Sequence, residues 1–167
     1  TVTNSGDIAV LLKLPPHHPS CRPESVALRQ VRSGSGLWRP DPQADVLLLG
    51  DSFANIYSLA AMGWGESAGL AEHLSLALNR PLDAIRRNDA GSWATRDRLA
   101  RELARGNDRL AGKRIVIWEF AARELAAGDW KLIPLDLGTP APTVFFAPKP
   151  GQKISVTGFI RAIAAAP

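Results

Sequence analysis

The sequence predicts an α/β fold: one domain built as a three-layer sandwich around a mainly parallel central sheet. Three observations carry this expectation. Val46, Leu47, Leu48 and Leu49 form an unbroken apolar run of strand length, the pattern of a strand buried on both faces. Two weaker strand patterns follow, at residues 82–86 and 114–120, and helical patterns separate all three. An alternation of strand, helix, strand, helix, strand implies parallel pairing with right-handed crossovers and helices covering the sheet. Finally, 167 residues with 46% hydrophobic and 22% charged content suit one globular core better than two.

Taken in order, Asn4-Ser5-Gly6-Asp7 is suited to capping a short apolar helix that reaches Leu14, an outer element ended by Pro15 and Pro16. Residues 23–42 read as an irregular approach, with Ser33-Gly34-Ser35-Gly36 a flexible turn. After the first buried strand the chain turns through Asn55, Tyr57 and Gly63-Trp64-Gly65. A helix over residues 68–79 then places Leu70, Leu74, Ala77 and Leu78 on one face, and Pro81 closes it. Ser92 is expected to cap the next helix, from about Trp93 to Arg105, with Leu99 and Leu103 inward and Gly106 as its stop. In the third strand Ile115, Val116 and Ile117 are the buried positions, and a helical turn ends at Gly128. Beyond Asp136 the composition becomes linker-like and then strand-like, so residues 1–136 form the main domain and 137–167 a linker and the start of a further β element.

Twenty Lys and Arg against 16 Asp and Glu give a net charge of +4. Such a balance favours anionic partners or is simply a solvated basic surface. The chain has no zinc-finger spacing and no basic run interleaved with aromatics, so nucleic acid is not an expected partner. No apolar run approaches the roughly 20 residues that span a bilayer. The opening residues lack the basic start and apolar stretch of a signal peptide. His17 and His18 are adjacent, which in an extended segment points them to opposite sides, and no cysteine or carboxylate sits at ligand spacing; no metal is expected. His73 reads as a structural histidine, and the single Cys21 as a loop thiol without a catalytic role.

The chemistry-bearing candidate is Ser52. The strand at residues 46–49 stops at Gly50-Asp51-Ser52, and carboxyl ends of parallel strands are where open α/β sheets bind ligands, so a hydroxyl displayed there is well placed to be a nucleophile. Gly-Asp-Ser is also ordinary turn chemistry, since Asp and Ser side chains bond readily to nearby amides.

Leu49-Gly50-Asp51-Ser52-Phe53 resembles the nucleophile block of the SGNH (GDSL-like) hydrolases, a superfamily of flavodoxin-like three-layer folds. The wider run resembles its alginate O-acetyltransferase branch. The matching pieces are Tyr57, residues 64–70, residues 88–92 leading to Thr95-Arg96, and residues 116–125; together they span roughly residues 6–135. The resemblance implies a periplasmic serine O-acetyltransferase of exopolysaccharide biosynthesis. It would work without a cofactor, take its acetyl group from a membrane acyltransferase partner and deliver it to hydroxyls of an anionic polysaccharide such as alginate. Ser52 would be the acyl acceptor, with Asp51, Gly91 and Ser92 in the oxyanion and site loops. Tyr57, Arg96 and Arg123 would meet the substrate. A polysaccharide acetyl esterase and a non-catalytic carbohydrate-binding or assembly subunit are the alternatives.

A serine needs a base, and the base an orienting carboxylate. The SGNH hydrolases usually carry an Asp-x-x-His element late in the chain, whereas no histidine follows His73 here. The acetyltransferase branch places an Asp-x-His pair before the nucleophile. Two residues ahead of His17 and His18 stand Pro15 and Pro16, so the expectation is a fragment beginning downstream of its own Asp–His pair. At the third strand's end, Glu119 and Arg123 are spaced to pair with each other, or Arg123 faces the site and holds a polymer carboxylate.

Overall fold

The computed structural model describes residues 1–15, 18–135 and Leu137. The chain divides into two units, Thr1–Asp136 and Leu137–Pro167. The linker and β element expected at 137–167 lie outside the described residues except for Leu137.

A small three-stranded parallel sheet packed against helices organises the first unit, making it a mixed α/β fold. Its order is β6-β5-β7, with β5 (Val46–Gly50) between β6 (Asp83–Arg86) and β7 (Ile115–Trp118). Leu48 pairs in register with Ala84 on one side and Ile117 on the other. Every residue of β5 is buried. Because side chains alternate along a strand, Val46 and Leu48 join Val31, Trp38, Ala71 and Leu82 in one cluster, whereas Leu47 and Leu49 join Ile85, Leu99 and Leu103 in another. Helix α3 (Leu70–Leu78) supplies Ala71 to the first cluster, and α4 (Gly91–Ala104) supplies Leu99 and Leu103 to the second. Each such leucine taken fully out of water contributes about 1.5–3 kcal/mol.

Several local expectations change. On α3 the buried residues are Ala71, Glu72 and Ser75, and of the expected inward positions Leu74 packs against the core while Leu70, Ala77 and Leu78 are exposed. The helix is rotated from the face that apolar spacing alone suggests, because Glu72 turns inward to an arginine and a serine. Ile115 is 48% exposed and Val116 and Ile117 are only partly buried, since β7 is an edge strand and Ile115 stands at its start. Helix α4 begins at Gly91, and its cap position is Ala90 in the left-handed region; Ser92 lies inside the helix and does not cap it.

The approach to the sheet is more ordered than its composition suggests. A strand β1 (Val2–Asn4) precedes helix α1 (Asp7–Leu11) and pairs antiparallel with β2 (Glu24–Val26). The Ser33–Gly36 turn closes a small hairpin of β3 (Arg32–Ser33) and β4 (Gly36–Leu37). Cys21 is buried. Among the described residues no helix is long and apolar enough to cross a membrane, and no three His, Cys, Asp or Glu side chains are grouped to hold a metal ion.

Candidate functional site at the carboxyl edge of the sheet

The order β6-β5-β7 puts the first of the three strands in the middle. One crossover leaves β5 outward to β6, and the next returns from β6 past β5 to β7, so consecutive crossovers run in opposite directions along the sheet. Crevices form at such switch points. Here that edge carries Gly50, Asp51 and Ser52 from β5 and Glu119 from β7.

Asp51 ends the strand and starts α2 (Ser52–Asn55). Its backbone is extended and its Oδ1 accepts from Phe53 N at 2.8 Å, satisfying one of the amides that a helix start leaves unpaired. Its Oδ2 accepts from Ala121 N at 2.9 Å, so the same carboxylate ties the end of β5 to the segment after β7. In return Asp51 N donates to Glu119 Oε2 at 3.0 Å, and Glu119 N to Leu49 O at 2.8 Å. Gly50 makes this compact crossing feasible. A Cβ there would stand 2.5 Å from Ala54 Cβ and 3.3 Å from Glu119 Oε2, so any side chain would push α2 off the strand end.

Ser52 is therefore the first residue of a short helix that folds back over the central strand. It is half-buried, and among the described residues no side chain hydrogen-bonds to its hydroxyl. His73 is engaged away from it, with Nε2 3.1 Å from Arg29 O. Glu119 is the second carboxyl group in this crossing. Burial raises its pKa above the ordinary carboxyl value; the Asp51 amide opposes that shift, and the negative charge of Asp51 reinforces it.

The other expected residues are distributed around this edge. Tyr57 lies in the turn after α2, half-buried, its carbonyl accepting from Ala68 N. Gly91 and Ser92 start α4, but Ser92 N already donates to Glu124 Oε2 at 3.0 Å, and a Cβ on Gly91 would collide with the same carboxylate. That amide is therefore engaged as an internal cap. Arg123 does not pair with Glu119. Its side chain is 67% exposed, its Nε lies 3.9 Å from Glu124 Oε1, and its guanidinium sits 5.7 Å from the ring of Phe53, the neighbour of Ser52. Arg96 turns the other way, into a cluster of Trp118, Phe120 and Trp130.

Sequence reasoning missed the groups that hold this edge in place. Beneath α2, Ser58 Oγ donates to Glu72 Oε2 at 2.6 Å and to Ala54 O at 3.0 Å, and Arg86 Nη1 donates to Glu72 Oε1 at 3.0 Å. The signal available was Glu72 itself, a lone acid in the first turn of an apolar helix. Asn55 Nδ2 donates to Asn88 Oδ1 at 2.6 Å, linking α2 to the turn after β6. Glu124, which caps α4 from 32 residues downstream, had no local signature.

No protein-family model, curated protein or solved structure matches this chain.

Proposed function

We propose that Ser52 is the acyl-accepting nucleophile of a periplasmic O-acetyltransferase on a three-layer, SGNH-like fold, acting on hydroxyls of an anionic exopolysaccharide such as alginate. The observation that carries this reading is the position of Ser52. It opens a helix directly after the buried central strand, at the switch point of a parallel sheet, with an unengaged hydroxyl. The exposed Arg123 beside Phe53 supports an anionic acceptor, because a guanidinium offers a carboxylate two parallel hydrogen bonds.

In the first step Ser52 Oγ bonds to the acetyl carbonyl carbon, the bond to the donor breaks, and the serine proton passes through a general base to the leaving group. In the second, a sugar hydroxyl bonds to the acyl carbon, its proton passes through the base to Oγ, and the acyl–Oγ bond breaks to restore the serine. The base belongs to the Asp–His pair that the resemblance implies, and a membrane acyltransferase would deliver the acetyl group. An esterase differs only in using water for the second step. The lack of a histidine contact to Ser52 among the described residues favours one other reading, a non-catalytic carbohydrate-binding or assembly subunit.

Acetyl esters on a polyuronate and free acetate, counted after incubating the intact protein with an acetyl donor, separate these. Polymer-bound acetyl that disappears in Ser52→Ala is the expected result. Acetate release without polymer acetylation indicates the esterase. Polyuronate binding with neither product, in protein supplied with added imidazole as base, overturns the catalytic reading.

A further inference from the structure

Arg96 is a half-buried cation whose best recognition edge is unused. Its Nη1 donates to Lys131 O at 3.2 Å, but Nε and Nη2 are buried and have no hydrogen-bond partner. These two nitrogens form the side-on edge of the guanidinium, the edge whose parallel N–H bonds match the two oxygens of a carboxylate. No carboxylate among the described residues forms a salt bridge with Arg96. Asp129, the acid that supports its charge at longer range, pairs instead with Lys131 at 2.6 Å. Buried polar groups are nearly always satisfied, so an unfilled charged fork calls for an occupant.

The surroundings fit a small planar anion. The guanidinium lies 4.8 Å from the Trp118 ring and 5.9 Å from the Trp130 ring, which hold it by cation–π attraction and fix its plane. Ser92, one helical turn before Arg96 on α4, is almost wholly buried and its hydroxyl is likewise unpartnered. Trp130 and Lys131 are held over the arginine by two bonds: Trp130 Nε1 to Glu124 O at 2.8 Å, and Arg96 Nη1 to Lys131 O. Trp130 is nevertheless 42% exposed, so this segment meets solvent.

We infer that the Nε/Nη2 edge of Arg96 is a carboxylate-binding site covered by the Trp130–Lys131 segment. A uronate carboxylate and a free small carboxylate such as acetate share this chemistry. Occupancy requires that segment to lift as a flap, breaking the Trp130 indole bond and the Lys131 carbonyl bond. Carboxylate binding at Arg96 does not depend on acyl chemistry at Ser52.

The five tryptophans give five indole signals in a ¹⁵N-labelled protein, which makes the flap directly observable. Titration with sodium acetate, and separately with an oligouronate, should shift the Trp130 indole signal saturably, whereas sodium chloride at matched ionic strength should not. Arg96→Lys keeps the charge and the packing stem but loses the fork, and should lose most of the binding. Trp130→Ala should raise the affinity severalfold, read on backbone signals of α4, because a closed flap weakens apparent binding in proportion to its closed fraction. Saturation by acetate alone assigns the site to a free small carboxylate; saturation by both probes assigns it to the polymer as well. The same shift with chloride, no saturable shift, or undiminished binding in Arg96→Lys overturns the inference, and Trp130→Ala binding no more tightly removes the flap. Ser52→Ala should bind as the parent does, so failure of the acyl-transfer reading leaves this result intact, and failure here leaves that reading untouched.

Discussion

The two ends of the parallel sheet are built from the same residue types to opposite effect. At the amino edge, the charges around Asp83 are largely buried and engaged. Asp83, at the start of β6, accepts from Arg109 Nη2 at 2.5 Å and Nε at 3.2 Å, and Lys113 Nζ lies 3.2 Å from its Oδ2. Arg109 also reaches Glu102 at 2.8 Å, while Lys113 donates to the carbonyls of Pro42 and Ala44 just ahead of β5. Asp45 is held by Arg80. At the carboxyl edge one ion pair, Glu72–Arg86, is also buried, but Asp51 and Glu119 accept from backbone amides, the guanidinium of Arg123 is exposed, and no described side chain bonds to the hydroxyl of Ser52. One edge is a clamp and the other a frame. Buried ion pairs closed on both sides hold strands in register, whereas carboxylates spent on backbone shape a turn and leave neighbouring groups available.

The largest test of this contrast is Asp83→Ala. It leaves Arg109 and Lys113 buried with one fewer counter-ion, and removing one partner from a buried pair costs about 3–5 kcal/mol. Urea denaturation should show that loss, and a change below about 1 kcal/mol would mean the clamp is incidental. Gly50→Ala comes next. Its Cβ overlaps Ala54, and overpacking of that kind costs about 1–3 kcal/mol. Because α2 must shift to make room, Ser52 should also lose acyl acceptance in this variant while Asp83→Ala, assayed under folding conditions, retains it.

How much of this was legible in advance divides along the same lines. The β5 run announced a strand buried on both faces because four consecutive apolar residues leave it no other place in the fold, and Gly50-Asp51-Ser52 marked the end of that strand correctly. Which side of α3 faces inward was not legible, because the deciding residue is the polar Glu72, and its partners Ser58 and Arg86 are 14 residues away in either direction. Spacing of four suggested a Glu119–Arg123 pair that does not form. Residues 119–122 are not helical, so the geometry that brings such positions together is missing, and Glu119 is drawn to the Asp51 amide instead. The capping of α4 by Glu124 and the amino-edge clamp are long-range contacts with no local pattern to betray them.

Smaller effects sharpen the frame. Arg123→Ala should weaken polyuronate binding by about 1 kcal/mol or less, as expected for an exposed charge, and the parent's affinity should fall with salt as screening sets in over about 8 Å. Equal affinity for a polyuronate and a neutral glycan of the same length would remove the anionic acceptor. Glu119 gives a pH signature. Its folded pKa is raised, so the native state holds this proton more tightly than the unfolded chain does. Its contribution is complete below the ordinary carboxyl pKa and is lost as pH rises through the raised value. Glu119→Gln can still accept from the Asp51 amide and has no proton to lose, so comparing urea midpoints across that window should show a flatter profile than the parent. An unchanged slope would place the titration on another group.

The central claim is that the carboxyl edge presents Ser52 as a nucleophile, and peptide-mapped acylation tests it most directly. The intact protein, incubated with 4-nitrophenyl acetate and imidazole as an external base, should carry a single acetyl group on the peptide containing Ser52. Ser52→Ala should carry none there and unfold at the same urea concentration as the parent, because an uncommitted surface-edge hydroxyl adds within about 0.5 kcal/mol to stability. Acetyl groups scattered over lysines and other hydroxyls with none on Ser52, or a Ser52→Ala protein that fails to fold, would return Gly50-Asp51-Ser52 to a purely structural turn.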